Sequence, residues 1–290
     1  MRSASAPACA RLSDGRLHLQ HGPIDCIVEA WGEAVEVEAA YTQARRRFQD
    51  ILPALVSELP LLRTPLGAAH PLAHGPVARR MVAAAWPHRA SFLTPMIAVA
   101  GAVADELLAA MVAGCHLHKA YVNDGGDIAL HLDGYAEFDA GIVTDPDAPA
   151  LDARIRIGAH HPARGIATSG WRGRSQSLGI ADAATVLAAN AAAADSAATL
   201  IANAVNADHP AIRRLPARAL KEDSDLGERM VTVSVPPLPR ATIGEALERG
   251  LAEAQRMRAA GLIAEAFLSL QGVSLTTRGA AALRQTGTRT

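Results

Sequence analysis

The residues best suited to do chemistry fall in three short segments. In the first, Tyr121-Val122-Asn123-Asp124-Gly125-Gly126-Asp127, two glycines and three small polar side chains interrupt an apolar run. Lacking a Cβ, Gly125 and Gly126 can reach φ > 0 and let a ligand approach bare backbone, while Asn123 and Asp127 offer short groups able to fix it. The same Asp-Gly step, set between Tyr121-Val122 and Ile128-Ala129-Leu130, also reads as a tight hairpin turn. Binding loop and hairpin are both kept open.

The second segment, Gly165-Ile166-Ala167-Thr168-Ser169-Gly170, runs on into Trp171-Arg172-Gly173-Arg174-Ser175-Gln176-Ser177. Arg172 and Arg174 beside Ser169, Ser175 and Ser177 are the densest set of anion-pairing donors near a glycine turn. Arginine grips phosphate with two parallel N–H bonds, and hydroxyls with backbone N–H groups complete such a cradle. An exposed basic loop is the competing reading.

The third segment is a helix expected over Ala191 to Asn206, on which Asp195, Thr199 and Asn203 recur at i, i+4 and i+8 and so share one face. Everything else on it is small or apolar, so the helix is largely buried with one narrow polar seam. A solvated seam would carry Lys, Arg or Glu. Asp195 and Thr199 supply a carboxylate and a hydroxyl oxygen, hard ligands that Mg²⁺ accepts while keeping water or phosphate oxygens elsewhere in its shell. A ligand contact or a hydrogen-bonded core network would use the same residues.

The elements that must position these segments follow from periodicity. Strands are expected at Leu17 to Gln20 and Ile24 to Trp31, then a helix from about Glu33 to Leu59 kinked at Pro53. The Pro-, Gly- and His-bearing loop Gly67 to Pro76 reads as a connection between lobes, and helices follow near Val77 to Ala85 and Met96 to Ala113. Short strands are expected at Ala120 to Asn123, Ile128 to Leu132, Ala140 to Val143, Arg154 to Gly158, Gly165 to Thr168 and Ala184 to Leu187. Met230 to Val235, a helix over Ile243 to Ala259 and an apolar run at Ile263 to Leu270 complete the chain. The class is α/β in its α+β form: mostly antiparallel sheets with packed helices. With 290 residues, 50% of them hydrophobic, the chain suits a single domain over 1–290 or two intimately packed lobes.

Composition narrows the partners. A net charge of −1 creates no global field toward nucleic acid or an acidic membrane. The most apolar stretch, Phe92 to Gly114, is broken by Pro95, Gly101, Asp105 and Glu106, so it is expected as a buried helix and not a membrane span. The first twenty residues lack the apolar core of a secretory signal, and Cys9, Cys26 and Cys115 have no paired spacing. A cytoplasmic protein with reduced thiols is expected. Cys115-His116-Leu117-His118 gathers three metal-capable side chains without the fourth ligand or partner cluster that zinc requires. Alanine-rich apolar helices would suit a homodimer, and a two-lobed monomer would bury them equally well.

Taken together and in this order, the three segments resemble the ApbE (FAD:protein FMN transferase) superfamily, and in particular its uncharacterised bacterial and archaeal relatives. The likeness runs from His21-Gly22-Pro23-Ile24-Asp25 through Thr94-Pro95-Met96 and Ala98 to Asp105, then through Tyr121 to Leu130, Gly165 to Gly179 and Ile180-Ala181-Asp182. It ends with Asp195 to Asn206 and Asp223-Ser224-Asp225-Leu226-Gly227. Family members use a Gly-Gly-Asp turn, a Thr-Ser-Gly segment and a helix with Asp and Thr four apart. Gly125-Gly126-Asp127, Thr168-Ser169-Gly170 and Asp195/Thr199 look like these.

By that resemblance the fold is two-lobed and ApbE-like, the first two segments line a flavin nucleotide site for FAD or FMN, and Asp195 with Thr199 holds Mg²⁺. The three segments are then expected to meet at one cleft that binds a phosphorylated small molecule, with pyrophosphate cleavage or nucleotidyl or FMN transfer as the chemistry. The transferases carry an Asp and a Lys-Gly where this chain has Thr94 and Ala100-Gly101. They also carry His-Ile-Ile-Asp-Pro where it reads Ser177-Leu178-Gly179-Ile180-Ala181-Asp182. Losing that histidine and lysine removes an acid/base and a phosphate contact, so no catalytic base is assigned. A flavin-dependent redox enzyme and a non-enzymatic ligand-binding or assembly protein are the alternatives the residues leave.

Overall fold

The computed structural model of the protein describes residues 6–142, 153–173 and 175–278. In chain order the elements begin β1 (Ala8–Arg11), β2 (Leu17–His21), β3 (Ile24–Gly32), α1 (Ala34–Ser57), α2 (Leu59–Leu62), α3 (Pro76–Ala85), α4 (Val99–Val112), β4 (Leu117–Asp124) and β5 (Asp127–Leu132). They continue β6 (Glu137–Ile142), β7 (Ala153–Gly158), β8 (Gly165–Ser169), β9 (Ala183–Ala188), α5 (Ala191–Ala204) and β10 (Arg213–Pro216). The last are α6 (Ala217–Leu220), β11 (Met230–Ser234), α7 (Arg240–Ala259), β12 (Glu265–Leu270) and β13 (Val273–Thr276). The fold is mixed α and β, and the strand pairings described here are antiparallel.

The chain divides into two compact units, and divisions fall inside β6, β7, β8 and α5. The first unit comprises residues up to Glu137 together with Gly158–Ala167 and Ala189–Ser196. Its ladder runs β1, β2, β3, β4, β5 and on to the start of β8, where Ile128 and Ala129 face Ile166 and Gly165. Alternation along β2 and β3 buries Leu17, Leu19, Ile24, Cys26, Val28 and Ala30 on one face. On α1, Ala40, Ala44, Phe48, Ile51 and Leu55 recur every three or four residues and bury against that core. Tyr41 is fully buried beside them, its hydroxyl oxygen accepting a bond from the Ala30 N–H at 3.3 Å.

The helix expected to kink at Pro53 continues through it to Ser57 before the chain restarts in α2. The loop before Pro76 has both its ends in the first unit, so it does not connect the two units as the sequence suggested. Glu58 instead holds it locally, accepting the backbone N–H groups of His74 and Gly75 at 2.7 Å each. By length and composition alone Pro95–Val112 could cross a membrane, yet Ala102, Val103, Ala104, Leu107 and Met111 are buried in the unit's own core.

The second unit comprises Phe138–Ile157, Thr168–Ala188 and the chain from Ala197 onward. β9 is buried at every position, as an apolar strand covered on both faces must be, and pairs with β12, which pairs with β13. α7 buries Ile243, Ala246, Leu247, Ala254 and Met257, and it comes close to the end of α5 because residue 250 is glycine. A Cβ there would lie 2.3 Å from the Val205 side chain and 2.7 Å from that of Leu268. Two small ladders, β6 with β7 and β10 with β11, complete the unit. Of the strand expected over Ala140 to Val143, residue 143 lies outside the described residues.

Candidate functional site

In the first unit, Asn123-Asp124-Gly125-Gly126-Asp127 folds as a two-residue hairpin, with Asp124 and Asp127 paired across the strands. Gly125 at φ 65 and Gly126 at φ 113 supply the left-handed backbone that such a turn demands. Asn123 stiffens it by accepting the Gly126 N–H at 2.8 Å. Around Gly126 nothing approaches within 4 Å of where a Cβ would sit, so the outer surface of this glycine turn is open. The backbone is thus that of the hairpin reading, and it leaves room for a ligand against the glycines.

A second feature of this unit is a crossing of two helix N-termini, where each helix lends the other a carboxylate. Asp195, on α5, accepts the N–H of Gly101 at 3.1 Å and is also bonded by the N–H of Ala100, both in the first turn of α4. Asp105, on α4, accepts the N–H groups of Ala191 and Ala192, the first two residues of α5, at 2.9 Å each. The first N–H groups of a helix have no partner within it and carry the positive end of its dipole, so each aspartate satisfies and neutralises the start of the other helix. Gly101 makes the crossing sterically feasible: a Cβ there would lie 2.3 Å from the Ala191 carbonyl oxygen.

Burial pushes the Asp195 carboxyl up to about 7, against the pull of the Gly101 and Ala100 N–H groups, and the negative charges of Asp124 and Asp105 push it further. Asp105 is raised as well, again by burial first, with the Ala192 and Ala191 N–H groups and Arg80 opposing. Asp124, the last residue before the glycine turn, is buried and accepts the Asp25 N–H at 3.3 Å. Two of the three segments singled out in the sequence, the glycine turn and the Asp195 end of the seam, are therefore close enough to interact electrostatically within one unit. Beside Asp124, the Cys26 thiol is held well above its usual range by burial and by the neighbouring Asp124 and Asp25.

Further along α5, Thr199 lies one turn beyond Asp195 on the same face, and Asn203 one turn beyond that. In the second unit Asn203 is part of a core network: its Oδ1 accepts the Ser177 hydroxyl at 3.2 Å and the Leu178 N–H at 2.9 Å. Asn206 adds a bond to the Leu178 carbonyl at 3.0 Å. The lower part of the seam thus clamps residues 177–178, the position at which the histidine run of the transferases is missing.

The loop from Thr168 to Ser177 is tied down inside the second unit. Thr168 shares a hydroxyl–hydroxyl bond with buried Thr185 at 2.9 Å. Gly170 is pressed on the chain at Asp182, whose carbonyl oxygen would lie 2.2 Å from a Cβ. Arg172 faces Asp182 at 3.6 Å and lies over the Trp171 ring at 5.0 Å. The Asp182 carboxylate also accepts the Trp171 indole N–H at 3.1 Å and the Gln271 N–H at 2.5 Å. Ser169 is half-buried, Ser175 is exposed, and Arg174 lies outside the described residues. Arg172, expected to grip a phosphate, already has an anionic partner in Asp182.

Asp105, Gly101 and Asp182 were given no role from sequence alone. Asp105 and Gly101 lie within the Ala98 to Asp105 stretch, but their partners are some ninety residues away, and no local spacing reports that approach. Among the described residues, no three of His, Cys, Asp and Glu converge as a metal site.

Fold and site define a protein with a half-buried aspartate pair at crossed helix N-termini beside an open glycine turn, on an antiparallel sheet. The family model described as AbpE bacteria (AbpE_bact) matches residues 9–279, and the chain belongs to that family. No curated protein matches it. Among solved structures it is similar to the flavin transferase ApbE from Vibrio cholerae, in a mutant form. That likeness is 11% in sequence identity with a TM-score of 0.46, covering 93% of this chain and 95% of the other.

Proposed function

We propose that this protein binds a flavin nucleotide, FAD or FMN, with Mg²⁺ held by the Asp195 carboxylate and the Thr199 hydroxyl. The observation that carries the reading is Asp195. It sits beside two further aspartates, whose negative charges add to burial in pushing it up to about 7. A carboxylate so placed among negative charges would gain from a divalent cation. The donor set fits Mg²⁺, which commonly takes one or two protein carboxylates and fills its other positions with water and phosphate oxygens. Two backbone N–H groups use only part of the carboxylate's accepting capacity. The cation, when bound, would offset negative charge on the phosphate oxygens of the nucleotide.

The chain's own part is to orient. The hairpin at Gly125-Gly126 offers bare backbone beside Asp124, and Asn123 keeps that turn in shape. Cleavage or transfer at the pyrophosphate is the chemistry that such a site favours, with the flavin itself as substrate.

One observation favours a second reading. Asp195 and Asp105 cap each other's helices so completely that the seam could serve the scaffold alone, leaving a binding or assembly protein. A thermal-shift screen against FAD, FMN, ADP and ATP, each with and without Mg²⁺, separates the two, since a ligand bound only by the native state raises apparent stability. A shift that requires both flavin nucleotide and Mg²⁺, and disappears in Asp195→Ala, supports the nucleotide reading. Absence of any shift in the folded wild type supports the scaffold reading.

A further inference from the structure

The geometry points to Asp105 as the positioning residue of the site, acting with Gly101 to hold the Asp195 carboxylate where a cation and nucleotide would meet it. This inference rests on the nucleotide reading above and adds to it a residue that touches neither ligand. The two aspartates form a closed exchange. Asp105 fixes the start of α5 through two bonds of 2.9 Å to Ala191 and Ala192. Asp195, one turn further along α5, then meets the start of α4 at Gly101 N–H, 3.1 Å away. Asp105 lies one turn beyond Gly101 on α4, so these contacts lock two helix ends against each other at a single setting.

The setting depends on the absence of a side chain. The Ala191 carbonyl oxygen, carbonyl carbon and the Ala192 nitrogen would lie 2.3, 2.5 and 2.7 Å from a Cβ on Gly101. All three are backbone atoms, so α5 would have to move as a unit to admit a methyl group. Asp105 and Gly101 are therefore coupled: one pulls the helices together and the other permits the approach. A bidentate carboxylate at a helix N-terminus is well suited to this, because it satisfies two orphan donors with one rigid group. Groups that orient a metal ligand from behind typically govern affinity by roughly ten- to a hundredfold without contacting the metal.

The test uses the full chain in three variants: Asp105→Ala, Asp105→Asn and Gly101→Ala. Two readouts are taken. The first, on the two Asp105 variants, is the amide proton shift of Gly101 in glycine-labelled protein, which reports its bond to the Asp195 carboxylate without any added ligand. The second, on all three, is FAD affinity measured in the presence of Mg²⁺. Asp105→Ala should move the Gly101 amide upfield, and both Asp105→Ala and Gly101→Ala should weaken Mg²⁺-supported FAD binding by about ten- to a hundredfold. Asp105→Asn, which keeps one acceptor oxygen and also covers the case in which the alanine variant does not fold, should recover part of both.

A Gly101 amide that stays at its wild-type position in Asp105→Ala or Asp105→Asn overturns the inference, as does wild-type affinity in a variant whose amide has moved. If wild-type protein binds no FAD with Mg²⁺, the nucleotide reading fails separately. The amide shift still decides whether Asp105 sets Asp195.

Discussion

Replacing Asp195 with asparagine should make the ligand-free protein more stable at pH 8, although it removes a side-chain charge that bonds two backbone N–H groups. Asparagine keeps an acceptor oxygen for the first turn of α4 and carries no charge to bury beside Asp124 and Asp105. The wild-type carboxyl is pushed up to about 7 from its ordinary 3.8. Below the unfolded value neither state is ionised at this residue and it has no effect. As pH rises toward 7 the unfolded chain ionises first, so wild-type stability falls, and above 7 the loss is complete. Each tenfold change in an ionisation constant between the folded and unfolded chain is worth roughly 1.4 kcal/mol, so the full loss is on the order of 4 kcal/mol, less whatever partial exposure of the side chain returns. Urea unfolding of both proteins from pH 4 to pH 8 measures it, and taking the difference cancels the carboxylates that do not interact with this one. The difference should be near zero at pH 4 and grow to a few kcal/mol in favour of Asp195→Asn by pH 8. Adding Mg²⁺ with FAD at pH 8 should stabilise the wild type and not the variant. A difference that is constant across the pH range would refute the raised carboxyl and, with it, the electrostatic case for a cation.

Other positions give sharper mechanical tests. Glu106, a half-buried acid that burial pushes up but that Arg47 and Arg80 hold below its ordinary range, bonds those arginines at 2.9 and 3.0 Å. Glu106→Ala should cost about 1–3 kcal/mol at pH 7, the cost shrinking as pH falls through the depressed value, read by urea denaturation. Gly170→Ala drives a methyl into the Asp182 carbonyl 2.2 Å away, so the 168–177 loop must shift; a loss of roughly 1–3 kcal/mol in thermal denaturation is expected. Asn203→Ala leaves the Leu178 N–H and the Ser177 hydroxyl without their shared acceptor and should cost about 1–3 kcal/mol by the same measurement. Asp182→Ala should free the Trp171 indole, shifting its fluorescence to the red.

Local pattern made much of the fold legible. Alternation named β2, β3, β4 and β5 to within a few residues, and the spacing of apolar residues gave α1, α3, α5 and α7. Several short elements, β1, β10, α6 and β13, escaped the local pattern: β1 is exposed at all four residues, and β13 depends on a turn at Gln271, whose φ of 46 no side-chain signal betrays. The seam on α5 was visible because helical spacing alone brings Asp195, Thr199 and Asn203 to one face. Its division of labour was not. Asp195 meets Gly101 across 94 positions of sequence and Asn203 meets Leu178 across 25, and each contact exists only once the helices and loops are packed. Likewise Arg172 read as a free phosphate donor until the fold set Asp182 opposite it.

The most direct measurement is an equilibrium titration of the wild-type protein with FAD, followed by flavin fluorescence, in excess Mg²⁺ and again with the cation chelated, alongside Asp195→Ala. Saturable binding that needs Mg²⁺ and is lost in the folded variant is the predicted result. Binding that ignores both the cation and Asp195, or no binding at all, would contradict the assignment of this aspartate to a metal–nucleotide site.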